Sequence, residues 1–206
     1  MNDLIDYNKE IGEINIKSIN KFKKIIISVV KGGVISIKTN KNEFYNDFGW
    51  SLKSRNKCYT SNYFSRDWKV EIDKEKKSIY IKGNLLLKRN FKSTISKHLI
   101  IRILSFLNIK IIPILKKLLI FKNSNSKIEF ERNISINKNV IIIEDKLINI
   151  YKKYELIENI GYSERHTASA NSFNILLFQK KESNKILLKK YFENNSIRIL
   201  KKIYDF

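Results

Sequence analysis

Short runs of alternating apolar and polar residues, each closed by a turn signal, recur along this chain of 206 residues. A period of two marks a strand with one buried and one wet face, whereas a helix repeats about every 3.6 residues. The clearest run sets Ile128, Phe130, Ile134 and Ile136 against Glu129, Glu131, Asn133 and Ser135. Asn137-Lys138-Asn139 then turns the chain, and Val140 to Ile143 returns as a more fully buried strand. Earlier, Ile25, Ile27 and Val29 alternate with Lys24, Ile26 and Ser28, and Val34 to Lys38 runs on after Lys31-Gly32-Gly33. Paired glycines adopt positive φ freely, so a two-residue hairpin loop is predicted there. A second hairpin has Trp68, Val70 and Ile72 facing one way, a turn at 73–77, and Ile79 and Ile81 returning. Further short strands fit Tyr154–Ile157, Phe173–Gln179, Lys185–Lys189 and Ile197–Tyr204. The aromatic stretch from Phe44 to Phe64 reads as core and sheet-surface filling.

One segment breaks this period. Ser93, Thr94 or Ser96 is placed to cap a helix whose polar stripe is His98, Arg102 and Ser105. Pro113 ends it and starts a second short helix, with Lys116 and Lys117 pointing away from Leu115, Leu118 and Leu119. Leu99 to Phe121 is apolar overall, but Arg102, Lys110, Lys116 and Lys117 interrupt it. Each such charge costs roughly 2.5–3.5 kcal/mol at mid-bilayer, which argues against a transmembrane span. Lys122 to Ser126 reads as a polar linker. The expected fold is mainly β: an antiparallel, supersandwich-like β-sandwich over 23–206 with a two-helix insert at about 95–122. Residues 1–22 read as an N-terminal lead-in.

Charge narrows the classes of partner. The chain has 41 Lys and Arg against 20 Asp and Glu, a net charge of +21, and 34 of the cations are Lys. Ile (37), Lys (34) and Asn (24) all have A/T-rich codons, so part of this bias reads as mutational drift. A protein that grips phosphates through bidentate contacts would use more Arg, so nucleic acid is not an expected partner. One stretch of charge is not diffuse. Residues 76–128 hold 13 Lys and Arg and no acid. Within it Arg102, Lys110, Lys116 and Lys117 are the candidate ligand-binding residues for an anionic polysaccharide or membrane surface. The competing reading is a helical pair with its lysines in solvent.

Other chemistry is largely excluded. One Cys, Cys58, and two His leave no internal disulfide framework and no multi-Cys or His-rich metal site. Phosphate-binding loop, GxSxG and HExxH motifs are absent, and no cofactor or metal is expected. The densest polar cluster, Gly161 to Ser172, contains Tyr162, Arg165 and His166 together with both Ala of the chain. These three are the candidate catalytic residues, suited to pairing with a carboxylate or to proton transfer in sugar chemistry. A tight loop whose His and Arg satisfy backbone carbonyls is the alternative. The N-terminal MNDLIDYNKEIGEINIKS carries acids and lacks the apolar run of a signal peptide. A cytoplasmic or membrane-peripheral location is therefore expected.

The order of segments resembles the C-terminal β-sandwich of heparinase II/III-like proteins encoded in bacterial surface-polysaccharide gene clusters. The matching stretches are KGGVISI (Lys31–Ile37), RDWKVEID with SIYIKG (Arg66–Gly83), and KHLIIRILSF with LKKLLI in the insert. IEFERNISINKNVIIIEDKL (Ile128–Leu147) and YSERHTASANSF (Tyr162–Phe173) complete them. The pairs Glu131-Arg132 and Glu144-Asp145 are the most distinctive. The resemblance runs from about Lys23 to Phe192, and its motifs are structural signatures more than catalytic ones. It implies an α/α-toroid ahead of the sandwich and lyase catalysis by Tyr and His in the cleft between them. The toroid residues have no counterpart here, and His166 is the one residue likened to a sandwich-side His. The resemblance thus implies a non-catalytic or incomplete sandwich module linked to surface or exopolysaccharide metabolism, completed by a separate toroid chain. A basic module acting through residues 76–128 is the alternative.

Overall fold

The computed structural model describes residues 4–19, 22–39, 44–54, 57–88, 125–137, 140–151, 153–159 and 186–204. Among them the chain is mainly β, folded into two antiparallel sheets with no α-helix. The first sheet is a meander of β1 (Leu4–Asn8), β2 (Glu13–Ile19), β3 (Phe22–Ser28), β4 (Val34–Thr39) and β5 (Phe44–Asp47), each hydrogen-bonded to the next. The second is built from β6 (Trp50–Lys53), β7 (Cys58–Thr60), β8 (Lys69–Asp73), β9 (Ser78–Leu87) and β10 (Asn125–Ile136). It continues with β11 (Val140–Ile148), β12 (Glu155–Glu158), β13 (Ile186–Glu193) and β14 (Ser196–Tyr204). Its strand order is β12-β6-β7-β9-β10-β11-β14-β13, with β8 also pairing β9.

Isoleucine builds both inner faces. In the first sheet Ile14, Ile27 and Ile35 stand in one cross-strand row and Ile16, Ile25 and Ile37 in the next, all buried. β-branched side chains lose little rotamer freedom on a pleated surface, and each buried Ile contributes roughly 1.5–3 kcal/mol of transfer free energy. In the second sheet Ile79, Ile134 and Ile143 form a matching row. The two inner faces belong to one apolar core that also takes in Trp50, Leu52 and Phe130.

The hairpins at Trp68–Ile81 and at 128–143 form as the alternation predicts, the second with β11 running on to Ile148. The hairpin at Gly32-Gly33 differs. Strand β3 stops at Ser28, and a 3₁₀ turn over Val29–Lys31 lengthens the predicted two-residue loop to five residues. Val29 leaves the strand because its N–H donates to the Gly12 carbonyl in the β1–β2 turn, at 2.8 Å. The segment expected as a lead-in supplies β1 and β2, with Ile14 and Ile16 fully buried. Asn125 and Ser126, expected in a linker, open β10. The two-helix insert at 95–122 and the strand at 173–179 lie outside the described residues. No described helix is long and apolar enough to cross a membrane.

Candidate functional site: a buried ionic cluster

Three strands of the second sheet carry a charged residue in their apolar phase. Arg132 lies between Phe130 and Ile134 on β10, Asp145 between Ile143 and Leu147 on β11, and Lys201 between Ile199 and Ile203 on β14. Period two forces all three side chains inward, and each is at most 1% exposed. Register then sets Arg132 directly opposite Asp145, in the cross-strand row Ile81–Arg132–Asp145–Ile199. From the facing sheet Asp47, at the end of β5, meets them and is also buried, at 1% exposure.

The guanidinium is close to saturated. Arg132 Nε and Nη2 donate to the two oxygens of Asp145 at 2.6 and 2.7 Å, a bidentate pair. Nη2 also donates to Asp47 Oδ1 at 2.8 Å, and Nη1 to the Gly33 carbonyl at 2.8 Å. Asp145 Oδ2 further accepts the Trp50 indole N–H at 2.7 Å. Asp47 Oδ1 accepts the Gly49 backbone N–H at 2.9 Å, and its Oδ2 accepts from Lys201 Nζ. Lys201 Nζ also donates to Glu158 Oε1 at 2.7 Å and lies 4.5 Å from the centre of the Trp50 ring. Glu158, at the end of β12, is the wet member, with its side chain 47% exposed.

Two glycines make room for this packing. Gly33 has φ +78°, and a Cβ there would sit 2.9 Å from both Arg132 Cδ and Ile81 Cδ1. Gly49 has φ +74°, and a Cβ would sit 2.3 Å from the Ser61 hydroxyl, which itself accepts the Trp50 backbone N–H at 3.0 Å.

Burial alone would push the Asp47 carboxyl up, but the charges of Lys201 and Arg132 outweigh it and hold it well below the usual carboxylate range. Burial likewise disfavours the Arg132 and Lys201 cations, and the carboxylates around them more than compensate, raising both. Burial, reinforced by the Asp47 charge, raises the nearby Tyr45 phenol. Each of these shifts favours the charged form of Asp47, Arg132 and Lys201.

The candidate catalytic residues Tyr162, Arg165 and His166, and the candidate ligand-binding residues Arg102, Lys110, Lys116 and Lys117, lie outside the described residues. Five cations of the 76–128 window are described, and Lys76 and Lys82 are among those that meet acids flanking it. Lys76 pairs with Asp73 at 3.8 Å, and Lys82 with Glu129 and Glu131 at 3.1 and 2.9 Å. Two shallow hollows border Trp68, one lined by Asp67, Lys82 and Asn84, the other by Tyr7, Glu10 and Arg66. Trp68 is 7% exposed with its ring edge-on to Phe130 at 6.0 Å, so it is a wall of the core and not a stacking face for a sugar. No group of three His, Cys, Asp or Glu placed to hold a metal ion occurs among the described residues.

Sequence reasoning singled out Glu131-Arg132 and Glu144-Asp145 only as a signature, and it missed Asp47, Trp50, Glu158 and Lys201. The signal for the inward charges was local: a charged residue in phase with buried isoleucines. Comparison with protein-family models, with curated proteins and with solved structures finds no match for this chain.

Proposed function

We propose that this chain is a non-catalytic β-sandwich module of heparinase II/III-like type, serving bacterial surface-polysaccharide metabolism as the scaffold for a separate α/α-toroid chain. One observation carries this reading. The Arg132 and Asp145 members of its most distinctive motif face inward at 0% exposure and bind each other, Asp47, Trp50 and Gly33, so they hold sheets together and offer nothing to a substrate. A motif devoted to an interior clamp is what a scaffold requires. The shared apolar core of the two sheets is the packing that a sandwich demands.

The test combines assembly with activity. The chain alone should release no unsaturated uronate from acidic polysaccharides, and it should co-elute with a toroid chain encoded beside it. Lyase activity of the isolated chain would overturn the non-catalytic assignment. Two independent species on size-exclusion chromatography would overturn the scaffold assignment.

A further inference from the structure

We propose that Lys201 and Asp47 condense to an intramolecular isopeptide bond, an autocatalytic cross-link joining the two sheets covalently. The site holds the parts such a condensation needs. The amine and the carboxylate are hydrogen-bonded to each other, their side chains 2% and 0% exposed. Glu158 Oε1 touches the same Nζ at 2.7 Å while its other face meets water, the position of a proton carrier. Asp47 Oδ1 receives Arg132 Nη2 at 2.8 Å and the Gly49 N–H at 2.9 Å. Those two donors bind the oxygen on which negative charge would develop, leaving Oδ2, which faces the amine, to depart. The fully buried Trp50 ring walls one side of Nζ.

The ion pair contains every atom of the reaction. Lys201 passes one proton through Glu158 to Asp47 Oδ2, converting the charged pair to amine and carboxylic acid. The nitrogen lone pair then attacks Asp47 Cγ, and the new C–N bond places negative charge on Oδ1. Glu158 takes a second proton from nitrogen and delivers it to Oδ2. The Cγ–Oδ2 bond breaks, water leaves, and the carbonyl re-forms on Oδ1. Ammonium and carboxylate become amide and water, with no change of oxidation state and with Glu158 regenerated.

Three features favour the product. Fixed reactants of this kind have effective concentrations on the order of 10⁵–10⁸ M, set against an ordinary amide equilibrium. Condensation removes two charges whose desolvation is costly, and the Arg132–Asp145 pair that remains is bidentate and electrically balanced. The amide oxygen keeps the two donors already aimed at Oδ1. Both reacting groups rest charged, so the internal proton transfer through Glu158 governs the rate, and the bond forms once, after folding has assembled the site.

Intact-mass measurement of the folded full chain, incubated at neutral pH and then denatured, decides the matter. The expected result is a mass lower by one water and, after proteolysis, a branched peptide joining the segments that carry Asp47 and Lys201. Loss of a positioned proton carrier slows such steps by about 10²–10⁴-fold, so Glu158→Gln should keep its full mass over the same time with an unchanged far-UV spectrum. A wild-type chain with native far-UV signal and full mass would overturn the proposal. A water loss that maps elsewhere, or that persists in Lys201→Arg, would do the same. Undiminished condensation in Glu158→Gln would remove Glu158 from the mechanism.

Discussion

Replacing Arg132 with Met tests the energetic role of the cluster. The substitution keeps an unbranched apolar stem between Phe130 and Ile134 and removes the guanidinium. Asp145 then loses two of its three charge-assisted or indole hydrogen bonds and keeps only that from Trp50. The Gly33 carbonyl loses the Nη1 donor, while Asp47 retains Lys201 and the Gly49 N–H. Removing one partner of a buried pair costs about 3–5 kcal/mol, because the other charge stays in the core. An orphaned buried carbonyl costs about 1–3 kcal/mol, part of which the first figure already includes. The expected loss is about 4–6 kcal/mol, against a total stability of about 5–15 kcal/mol for a domain. The double variant Arg132→Met/Asp145→Leu removes both charges and leaves only the Trp50 N–H and the Gly33 carbonyl unpaired. It should therefore recover about 2–4 kcal/mol relative to the single variant. Urea unfolding followed by far-UV dichroism and Trp fluorescence measures both quantities as a double-mutant cycle. A single variant that loses less than about 1 kcal/mol, or a double variant no more stable than the single, would refute the reasoning.

The other expectations concern single contacts. Gly33→Ala forces a Cβ onto Arg132 and Ile81 at φ +78°, and should cost about 1–3 kcal/mol, read as a lower thermal midpoint; an unchanged midpoint contradicts it. Trp50→Phe keeps most of the ring but removes the donor to Asp145, and should cost about 1–3 kcal/mol in the urea titration, with little loss in Arg132→Met/Asp145→Leu. In Glu158→Gln, where Lys201 and Asp47 stay an ion pair, pH has a definite sign. The depressed Asp47 carboxyl gives stability that is present above the unfolded value of about 3.9 and is lost as pH falls further. The raised Lys201 amine gives stability that is present below about 10.4 and is lost as pH climbs through the folded value. Thermal midpoints that do not fall at both extremes would contradict this. Lys82→Ala should leave the urea midpoint unchanged despite its two carboxylate partners, since the Lys82 side chain is 43% exposed and its pairs are screened by water; a clear drop would count against that.

Local chemistry explains what was legible. The hairpins at Trp68–Ile81 and 128–143 follow from alternation and turn residues within a dozen positions, so no distant contact was needed to read them. The five-residue loop at 29–33 was not legible, because it depends on a bond from Val29 to Gly12 across the sheet. Ile14 and Ile16 alternate with polar neighbours as clearly as later strands do, but their burial requires β3 alongside and the second sheet opposite. The densest polar cluster of the sequence pointed to Tyr162, Arg165 and His166, which lie outside the described residues. Arg132 carries its structural role through its phase among buried isoleucines, a signal separate from the motif that singled it out.

Alternation by itself determined that this chain is mainly β and that Arg132, Asp145 and Lys201 must point where isoleucines point, because a strand has only two faces. Tertiary structure decided which charges meet. Register set Arg132 opposite Asp145, and the packing of one sheet on the other brought Asp47 to Lys201 across 154 residues of chain. Such contacts carry no local signature: a buried charge advertises the need for a partner, and only the fold supplies it.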